Sequence, residues 1–429
     1  MHPAIPRILT ITILLAMAGG TWILLKKPAP APTPVVEKIT EDLSVLGEKP
    51  DWSKLERFQN TFSRGEFEIL LTTVFTTGNA WRSLIEIDES EARIHTATDP
   101  EATVFHLKFA TPAASQPTPR HWKSAADLAP APVSQPLANL HIAIDPGHIG
   151  GAWAKLEERW LKLGETAPVC EGDMTLFVAE LLKPRLELLG ARVSLVRSKD
   201  EPITSLRPDS LLDAARESKA RSNSPDDLQK IAERLFYRAA EIRARAKLVN
   251  QSLKPDLIVC LHFNADPWGN PSEPTLVNRT HLHLLLNGAY TDEEILMEDQ
   301  RFAMLEKLLS RTHDEEARIG TTVADVFSRI SGLPPFIYPA DSPSVRSVNG
   351  HPYLWARNLL ANRLYECPVI FMEPYVMNSA IDHARIVAGD YDGVREINGK
   401  FQPSIFREYA DALSQGLADY YGKHRRTTP

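Results

Sequence analysis

After residue 138, short apolar runs alternate along the chain with longer segments of helical periodicity. The apolar runs cover 140–144, 191–197, 256–265, 281–288 and 368–374. Helical spacing covers 173–189, 205–252, 292–331, 353–365 and 405–421. Strands that alternate with helices build parallel sheets, so the pattern predicts an α/β domain over 138–425. We expect a mainly parallel open sheet flanked by helices, with inserts near 198–242 and 291–365.

The chain before this domain divides into a small mixed unit and a proline-rich segment. Apolar residues share one helical face over 52–62, and four short strands are predicted over 67–75, 83–89, 91–97 and 103–110. We therefore expect a small α+β accessory domain over 36–110, in which the lone His95 and His106 are structural. Residues 111–137 lack periodicity and are rich in Pro, Ala and Ser, as in a linker or a chain wrapping over a neighbouring surface.

The amino terminus carries an uncharged, mostly apolar run over 8–25, between Arg7 and two lysines. Its length suits a membrane span, but its first half followed by small residues also suits a cleaved signal peptide. Residues 1–27 are therefore predicted to be an anchor or a signal segment, followed by an extended Pro/Ala spacer over 28–35. Either alternative predicts export to the periplasmic side of a bacterial cell envelope, and the longer run favours anchoring in the inner membrane.

Charge and cysteine usage exclude several classes of protein. The net charge of −7 over 429 residues argues against a nucleic-acid partner, which a basic surface would bind. Three separated cysteines, Cys170, Cys260 and Cys367, form no C-x-x-C pair. This spacing excludes a disulfide framework and a thiolate zinc finger, so we interpret Cys170 and Cys260 as core residues.

Polar residues interrupt the apolar pattern of the large domain at four places. His148 follows the first strand after Asp-Pro-Gly, His262 interrupts the third strand, and Glu373 ends the last strand. Glu171 stands just before the first helix. Parallel strands bring their carboxyl ends to one edge, so these side chains can converge there. Two imidazoles and one carboxylate can hold zinc with one open position, and a further carboxylate can act as general base.

The alternative for each of these residues is structural. An isolated histidine in a strand is more often a hydrogen-bonded core residue, and a glutamate at a strand end is usually solvated. Their spacing matches no short zinc-binding motif. The residues alone therefore leave both interpretations open. His281 and His283 likewise alternate on a strand, either as structural residues or as part of a substrate groove.

Four blocks of the large domain resemble, in order, the blocks of the zinc-dependent N-acetylmuramoyl-L-alanine amidase family (amidase type 3 catalytic domain). They read IAIDPGH, EGDMTLFVAELLKPRLELLGARVSLVR, ARAKLVNQSLKPDLIVCLHFNA and PVIFMEPYVMN, and they lie within about 140–400 with two inserts. The resemblance implies that zinc (Zn²⁺) is the cofactor and that His148, Glu171 and His262 are its ligands. It also implies that Glu373 is the catalytic residue.

The resemblance gives further residues supporting roles, and the chain departs from the family at several places. Arg245 and Asn250 match an Arg/Asn pair that the family uses structurally, and Asn264 matches an asparagine expected to lie near the metal ligands. The family's DPGHGG is DPGHIGG here, and the loop to Glu171 is longer than usual. Because some family members cover the zinc with an inserted helix, 291–331 is a candidate autoinhibitory segment.

These inferences predict a cell-wall hydrolase that cleaves the amide bond between N-acetylmuramic acid and L-alanine in peptidoglycan. Peptidoglycan and the inner membrane are the expected partners, together with an activator protein of the envelope. Two alternatives stay open. The chain could be an autoinhibited or catalytically weak envelope binding protein of the same fold, or a zinc hydrolase that acts on another peptide or amide.

Overall fold

A seven-stranded sheet forms the centre of the computed structural model, which describes residues 43–222, 224–425 and 427–428. The predicted anchor or signal segment and the spacer over 28–35 lie outside the described residues. Within the described residues, we find no helix with the length and apolar character that crossing a membrane requires.

The strands are β1 (Ile85–Ile87), β2 (Glu91–His95), β3 (Val104–Lys108), β4 (Ala131–Pro132), β5 (His141–Pro146), β6 (Trp160–Leu161), β7 (Val169–Cys170), β8 (Arg192–Leu195), β9 (Leu257–Leu261), β10 (Leu282–Leu286), β11 (Arg346–Ser347), β12 (Leu354–Ala356), β13 (Val369–Pro374), β14 (Arg395–Ile397), β15 (Lys400–Gln402) and β16 (Thr427–Thr428). The helices are α1 (Arg64–Leu70), α2 (Glu171–Leu188), α3 (Leu212–Arg221), α4 (Leu228–Leu235), α5 (Glu241–Leu248), α6 (Asp292–Leu296), α7 (Glu298–Leu309), α8 (Thr312–Ser331), α9 (Leu360–Leu364), α10 (Ala380–Val387) and α11 (Ile405–His424).

The central sheet has the strand order β11-β12-β10-β13-β9-β5-β8. Strands β8, β5, β9 and β13 are parallel neighbours, and β10 runs antiparallel to β13 but parallel to β12. The predicted fold class, a mainly parallel open sheet flanked by helices, is therefore confirmed. The carboxyl ends of β5, β9 and β13 meet at one edge, where His148, His262 and Glu373 occur.

Side chains that alternate along each strand divide the apolar core between the two faces of the sheet. One face packs against α2, α8 and α11, with Leu261 and Met372 among its buried residues. The other face carries Cys260 and Phe371 and packs against residues near α5 and α9. The ring of His262 stacks on Phe371 with centroids 4.5 Å apart, so His262 belongs to this second face.

Residues 52–109 differ from the prediction at one element. The segment 67–75, predicted as a strand, is the end of α1 and a π-helical turn that follows it. Ser63 and Glu66 form a capping box that starts this helix, and the hydroxyls of Thr72 and Thr73 bond to carbonyls four residues earlier. Local capping thus outweighs the β-branched composition that suggested a strand. The three remaining strands are present as β1, β2 and β3.

These residues pack directly on the larger part of the chain. Their apolar side chains share one buried cluster with α6 and α7, to which Phe58, Phe75, Ile295 and Leu305 contribute. The segment 111–137 wraps over the neighbouring surface, where Trp122 is buried and β4 pairs with β16.

Two predicted helices in the large domain have different bounds. The segment 353–365 contains β12 and only the short α9. Helix α2 begins at Glu171, two residues before the predicted start of helical spacing at 173, and the Asp173 carboxylate in its first turn accepts the Gly151 N–H at 2.5 Å.

The candidate autoinhibitory segment 291–331 does not cover the predicted metal site. Helix α8 packs against α11 and the opposite face of the sheet, with Val323 and Phe327 fully buried. Helices α6 and α7 pack against residues 52–109 instead. The hypothesis of a covering helix is therefore wrong for this segment, because its apolar residues are needed in the core.

We expect Phe327→Ala to lower the free energy of unfolding by about 3–5 kcal/mol, the usual cost of a cavity left by a buried phenylalanine. The Phe327 ring lies 5.5 Å from the Tyr409 ring, centroid to centroid, between α8 and α11. Urea denaturation measures this change. Ile330→Ala on the same helix is the matched control, because Ile330 is 41% exposed. Equal stability of the two variants would contradict the core assignment of α8.

Candidate metal centre

Gly147 allows the first strand end and the third to approach closely. A Cβ at this position would lie 2.3 Å from Cε1 of His262, a distance that real Cβ atoms do not show. The Gly147 N–H donates to the Leu261 carbonyl at 2.9 Å, which continues the pairing of β5 with β9. The glycine of the DPGH block is therefore required by the imidazole beside it.

A second close approach brings the DPGHIGG loop against the start of α2. A Cβ on Gly172 would lie 2.3 Å from the backbone nitrogen of Gly150, and Gly150 itself has a φ of 82°. Only glycine adopts this conformation readily and leaves room for the other backbone. The contact sets Glu171 beside the loop that carries His148.

His148, Glu171 and His262 converge in the structure. Nε2 of His148 lies 3.1 Å from Oε2 of Glu171, and Nδ1 of His262 lies 3.0 Å from Oε1. One ligand atom from each residue lies within 4.8 Å of the other two. Burial disfavours charge here, but the charges of Glu171 and Glu157 and their hydrogen bonds to the ring together outweigh it and raise the pKa of His148 to about 9. Burial likewise opposes ionisation of Glu171, yet the two imidazoles hold its pKa well below the usual value.

The donor set fits zinc. Two imidazole nitrogens and one carboxylate oxygen are the ligands of His₂Glu hydrolase sites, which leave a fourth position open. Donors about 2.0–2.1 Å from one tetrahedral ion lie about 3.3 Å from each other. His148 and His262 each lie near this distance from one oxygen of Glu171, His148 from Oε2 at 3.1 Å and His262 from Oε1 at 3.0 Å. The Glu171 side chain is 2% exposed and each histidine side chain 16%, so the donors are buried but reach the surface.

Glu157 orients His148 from its far side. Its carboxylate lies 3.5 Å from Nδ1 of His148 and accepts the backbone N–H groups of Ile149 and Gly150 at 2.9 Å. Burial acts against the charge of Glu157, but His148 and these N–H groups lower its pKa overall. A carboxylate on the remaining nitrogen of a metal-binding histidine fixes the ring and makes it more basic.

Arg245 lies behind the His148 loop. Its buried guanidinium pairs with Asp145 and Glu241 at 2.8 Å each, and it donates to the carbonyls of Pro146 at 2.7 Å and His148 at 2.6 Å. It touches none of the three convergent side chains. A supporting role for Arg245 stays a prediction from the resemblance.

The two asparagines of the resemblance bond to backbone groups near the strand ends. The Asn264 side-chain oxygen accepts the Ala265 N–H at 2.7 Å. The Asn264 backbone carbonyl accepts the Met377 N–H at 2.8 Å, and this bond links the chain after β9 to the chain after β13. The Asn250 side chain bonds to the backbone of Leu364 and Glu366.

Glu373 lies at the end of β13, next to the three convergent side chains. Met372 pairs with Leu261 on β9, and His262 and Glu373 are the residues that follow them. Burial raises the pKa of Glu373 to about 7, with His262 opposing this shift and Glu171 adding to it. A carboxylate with such a pKa can both accept and release a proton near neutral pH.

Arg159 is a residue of the site that sequence reasoning missed. Its Nε lies 3.1 Å from Oε2 of Glu171, the oxygen that also faces His148. The Glu171 N–H in turn donates to the Arg159 carbonyl at 3.2 Å. Arg159 lies in the loop that is longer than the family pattern, and no motif marks it. The pairing of Trp160 with Cys170, together with the hydrogen bond to the Arg159 carbonyl, brings it to the candidate metal site.

His281 and His283 lie in the sheet beside Glu373 and outside the donor set. His283 pairs with Glu373 across β10 and β13. Burial lowers the pKa of His281 to about 4 and that of His283 to about 3, so both are neutral. Phe336 covers both imidazoles, with its ring centroid 4.7 Å from His281 and 5.0 Å from His283.

Comparison with known proteins gives matches among solved structures only. A scan against protein-family models gives no match, and a search of curated proteins gives none. Several of the similar solved structures are N-acetylmuramoyl-L-alanine amidases. Ami1 from Mycobacterium abscessus, in its apo form, has 18% identity and a TM-score of 0.38 over 66% of this chain and 99% of its own. Ami1 from Mycobacterium smegmatis has 17% identity and a TM-score of 0.37 over 67% of this chain and 99% of its own. The amidase of Clostridium difficile 630 has 14% identity and a TM-score of 0.35 over 66% of this chain and 96% of its own.

We expect Gly147→Ala to weaken zinc binding by about 10- to 100-fold, the usual effect of disturbing a group that orients a metal ligand. The added methyl group displaces the His262 ring, and no positive φ adds backbone strain at this residue. A competition titration with a zinc chelator measures the affinity. Gly65→Ala is the control, because open space surrounds that position. Unchanged zinc affinity in Gly147→Ala would contradict the assignment of His262.

Proposed function

We propose that the protein is a zinc-dependent amidase that hydrolyses the bond between N-acetylmuramic acid and L-alanine in peptidoglycan. The observation that carries the proposal is the convergence of His148, Glu171 and His262 within 4.8 Å, with Glu373 at the adjacent strand end. The family resemblance of the four sequence blocks supports the same reaction and substrate. In this proposal the first three residues hold the metal and Glu373 is the catalytic residue.

The chemistry needs a polarised amide carbonyl and an activated water. Zinc, when bound, acts as a Lewis acid on the carbonyl oxygen and makes water a stronger acid. The carboxylate of Glu373 accepts a proton from the attacking water and then delivers it to the leaving nitrogen of L-alanine. The C–N bond breaks, and the products are a muramic acid carboxylate and a peptide with a free amino terminus.

Arg159 and Glu157 support this reaction from two sides. Arg159 contacts the Glu171 carboxylate at the exposed side of the site, where its positive charge offsets negative charge that develops on the amide oxygen. Glu157 keeps the His148 ring in one orientation. Both residues lie in the long loop between two proposed ligands.

The alternative of an envelope binding protein needs a closed site, and two observations disfavour it. The His148 and His262 side chains retain 16% exposure, and the helices of 291–331 pack elsewhere. The second alternative, a zinc hydrolase that cleaves another peptide or amide, is distinguished from the proposed reaction by identifying the products. Export to the periplasmic side of the envelope, the inner-membrane anchor and an envelope activator stay predictions from the sequence.

We expect Glu373→Gln to lower the rate of peptide release from purified peptidoglycan by about 10²–10⁴-fold, the usual contribution of a general base. The amide keeps the shape of the side chain but cannot accept the proton. Zinc content should stay the same because Glu373 is not a proposed ligand. Mass spectrometry of the released peptides measures the reaction.

Glu396→Gln, in the exposed hairpin β14–β15, is the matched control and should retain full activity. A chelator should abolish release by the wild type, and added zinc should restore it. Release by Glu373→Gln at the wild-type rate would overturn its role. Zinc binding without release from peptidoglycan would overturn the proposed substrate.

A further inference from the structure

A cleft with a volume of about 420 Å³ lies between three segments of the large domain. Lys155, Glu158 and Trp160 of the long loop form one wall, and Lys230 of α4 forms another. The third wall is the loop 268–272, which begins with Trp268. No residue predicted from the sequence as a site residue lines this cleft.

Chain connectivity sets the cleft beside the metal centre. Glu158 directly precedes Arg159, whose guanidinium contacts Glu171. Trp160 pairs with Cys170, the residue before Glu171. The opposite wall belongs to the loop that leaves β9 after His262. The Lys162 N–H donates to the Pro271 carbonyl at 2.8 Å and joins the two walls.

Ion pairs between two of these walls neutralise Glu158, the acidic residue of the cleft. Oε1 of Glu158 lies 3.1 Å from Nζ of Lys230 and 3.1 Å from Nη2 of Arg234. Oε2 of Glu158 lies 3.2 Å from Nη2 of Arg238 and accepts the Tyr237 hydroxyl at 3.0 Å. Three cations thus share this one carboxylate.

The cluster as a whole carries excess positive charge. Lys155 adds a fourth cation, and its Nζ lies 4.4 Å from the centroid of the Trp160 ring. Asp226, which pairs with Arg234, is the second carboxylate of the cluster. Four cations therefore face two carboxylates, in a chain whose net charge is −7. Such a local excess favours an anionic ligand.

The two indoles add an apolar surface to this charge. Trp160 and Trp268 are both partly buried, so each presents part of its ring to the cleft. Ligand sites typically combine aromatic walls with a few charged groups that fix orientation. The combination suits a ligand with carboxylates next to apolar or sugar surface.

We propose that this cleft binds the carboxylate-bearing peptide of a muropeptide during hydrolysis. Lys155 and Lys230 pair with the peptide carboxylates, and Trp160 and Trp268 contact the apolar faces of the ligand. The inference rests on the proposed amidase function, since the metal centre beside the cleft acts on the bond that joins this peptide to the sugar.

Calorimetric titration of the full chain carrying Glu373→Gln tests the proposal without turnover. The probes are N-acetylmuramoyl-L-alanyl-D-glutamate and the same compound with both glutamate carboxylates converted to amides. We expect the acid to bind about tenfold more tightly than the diamide, as two partly exposed ion pairs would give. The difference should shrink at high salt because exposed charges are screened.

The double variant Lys155→Gln, Lys230→Gln should bind the acid only as tightly as the diamide. Its affinity for the diamide should equal that of the protein that keeps both lysines. Glu158 keeps Arg234 and Arg238 as partners in this variant, so its charge stays paired. Lys108→Gln on β3 is the control for the loss of one exposed lysine and should change neither affinity. Thermal unfolding checks that each variant is folded.

Three results would overturn the cleft assignment. They are equal affinity for acid and diamide, a preference for the acid that survives the double substitution, and no binding of either probe. Peptide release from peptidoglycan by the wild type is measured separately. Release without a charge preference would refute the cleft and leave the amidase function standing. A charge preference without any release would support the cleft as a peptide site and refute the amidase function.

Discussion

The buried guanidinium of Arg245 fixes the loop that carries His148 in the candidate metal centre. It pairs with Asp145 and Glu241 and also holds the carbonyls of Pro146 and His148. The hydroxyl of Tyr365 donates to the second oxygen of Asp145 at 2.5 Å. Removing one member of such a buried network leaves charge unpaired, at a cost of about 3–5 kcal/mol. This network also holds His148 at a φ of 60°, a backbone conformation that few side chains adopt without support.

The parallel sheet turns this one fixed loop into a site. Because β5, β9 and β13 are neighbours that run in the same direction, His148, His262 and Glu373 all leave the sheet at one edge. Glycines at 147, 150 and 172 remove the side chains that would keep these elements apart. The apolar layers on the two faces keep the strands in register. The packing of the core therefore sets the distances between the candidate metal-binding atoms.

The sequence predicts the sheet, its helices and the convergent residues because apolar runs and strand ends are local patterns. The predicted strand over 67–75 is wrong because the capping box of Ser63 and Glu66 stabilises a helix that begins at Arg64. The covering role given to 291–331 is wrong because helical spacing shows an apolar face but not which surface buries it. Arg159 reaches Glu171 through the pairing within the long loop, and the cleft lined by Lys155, Lys230 and Trp268 depends on contacts between segments far apart in the chain. No local pattern encodes such contacts.

A crystal structure of the zinc-loaded full chain, with anomalous data collected on both sides of the zinc edge, tests the central claim most directly. We expect one anomalous peak bound by an imidazole nitrogen of His148, a carboxylate oxygen of Glu171 and an imidazole nitrogen of His262. Glu373 should lie near the ion without contacting it. A peak at other residues, or no peak when zinc is in excess, would contradict the account.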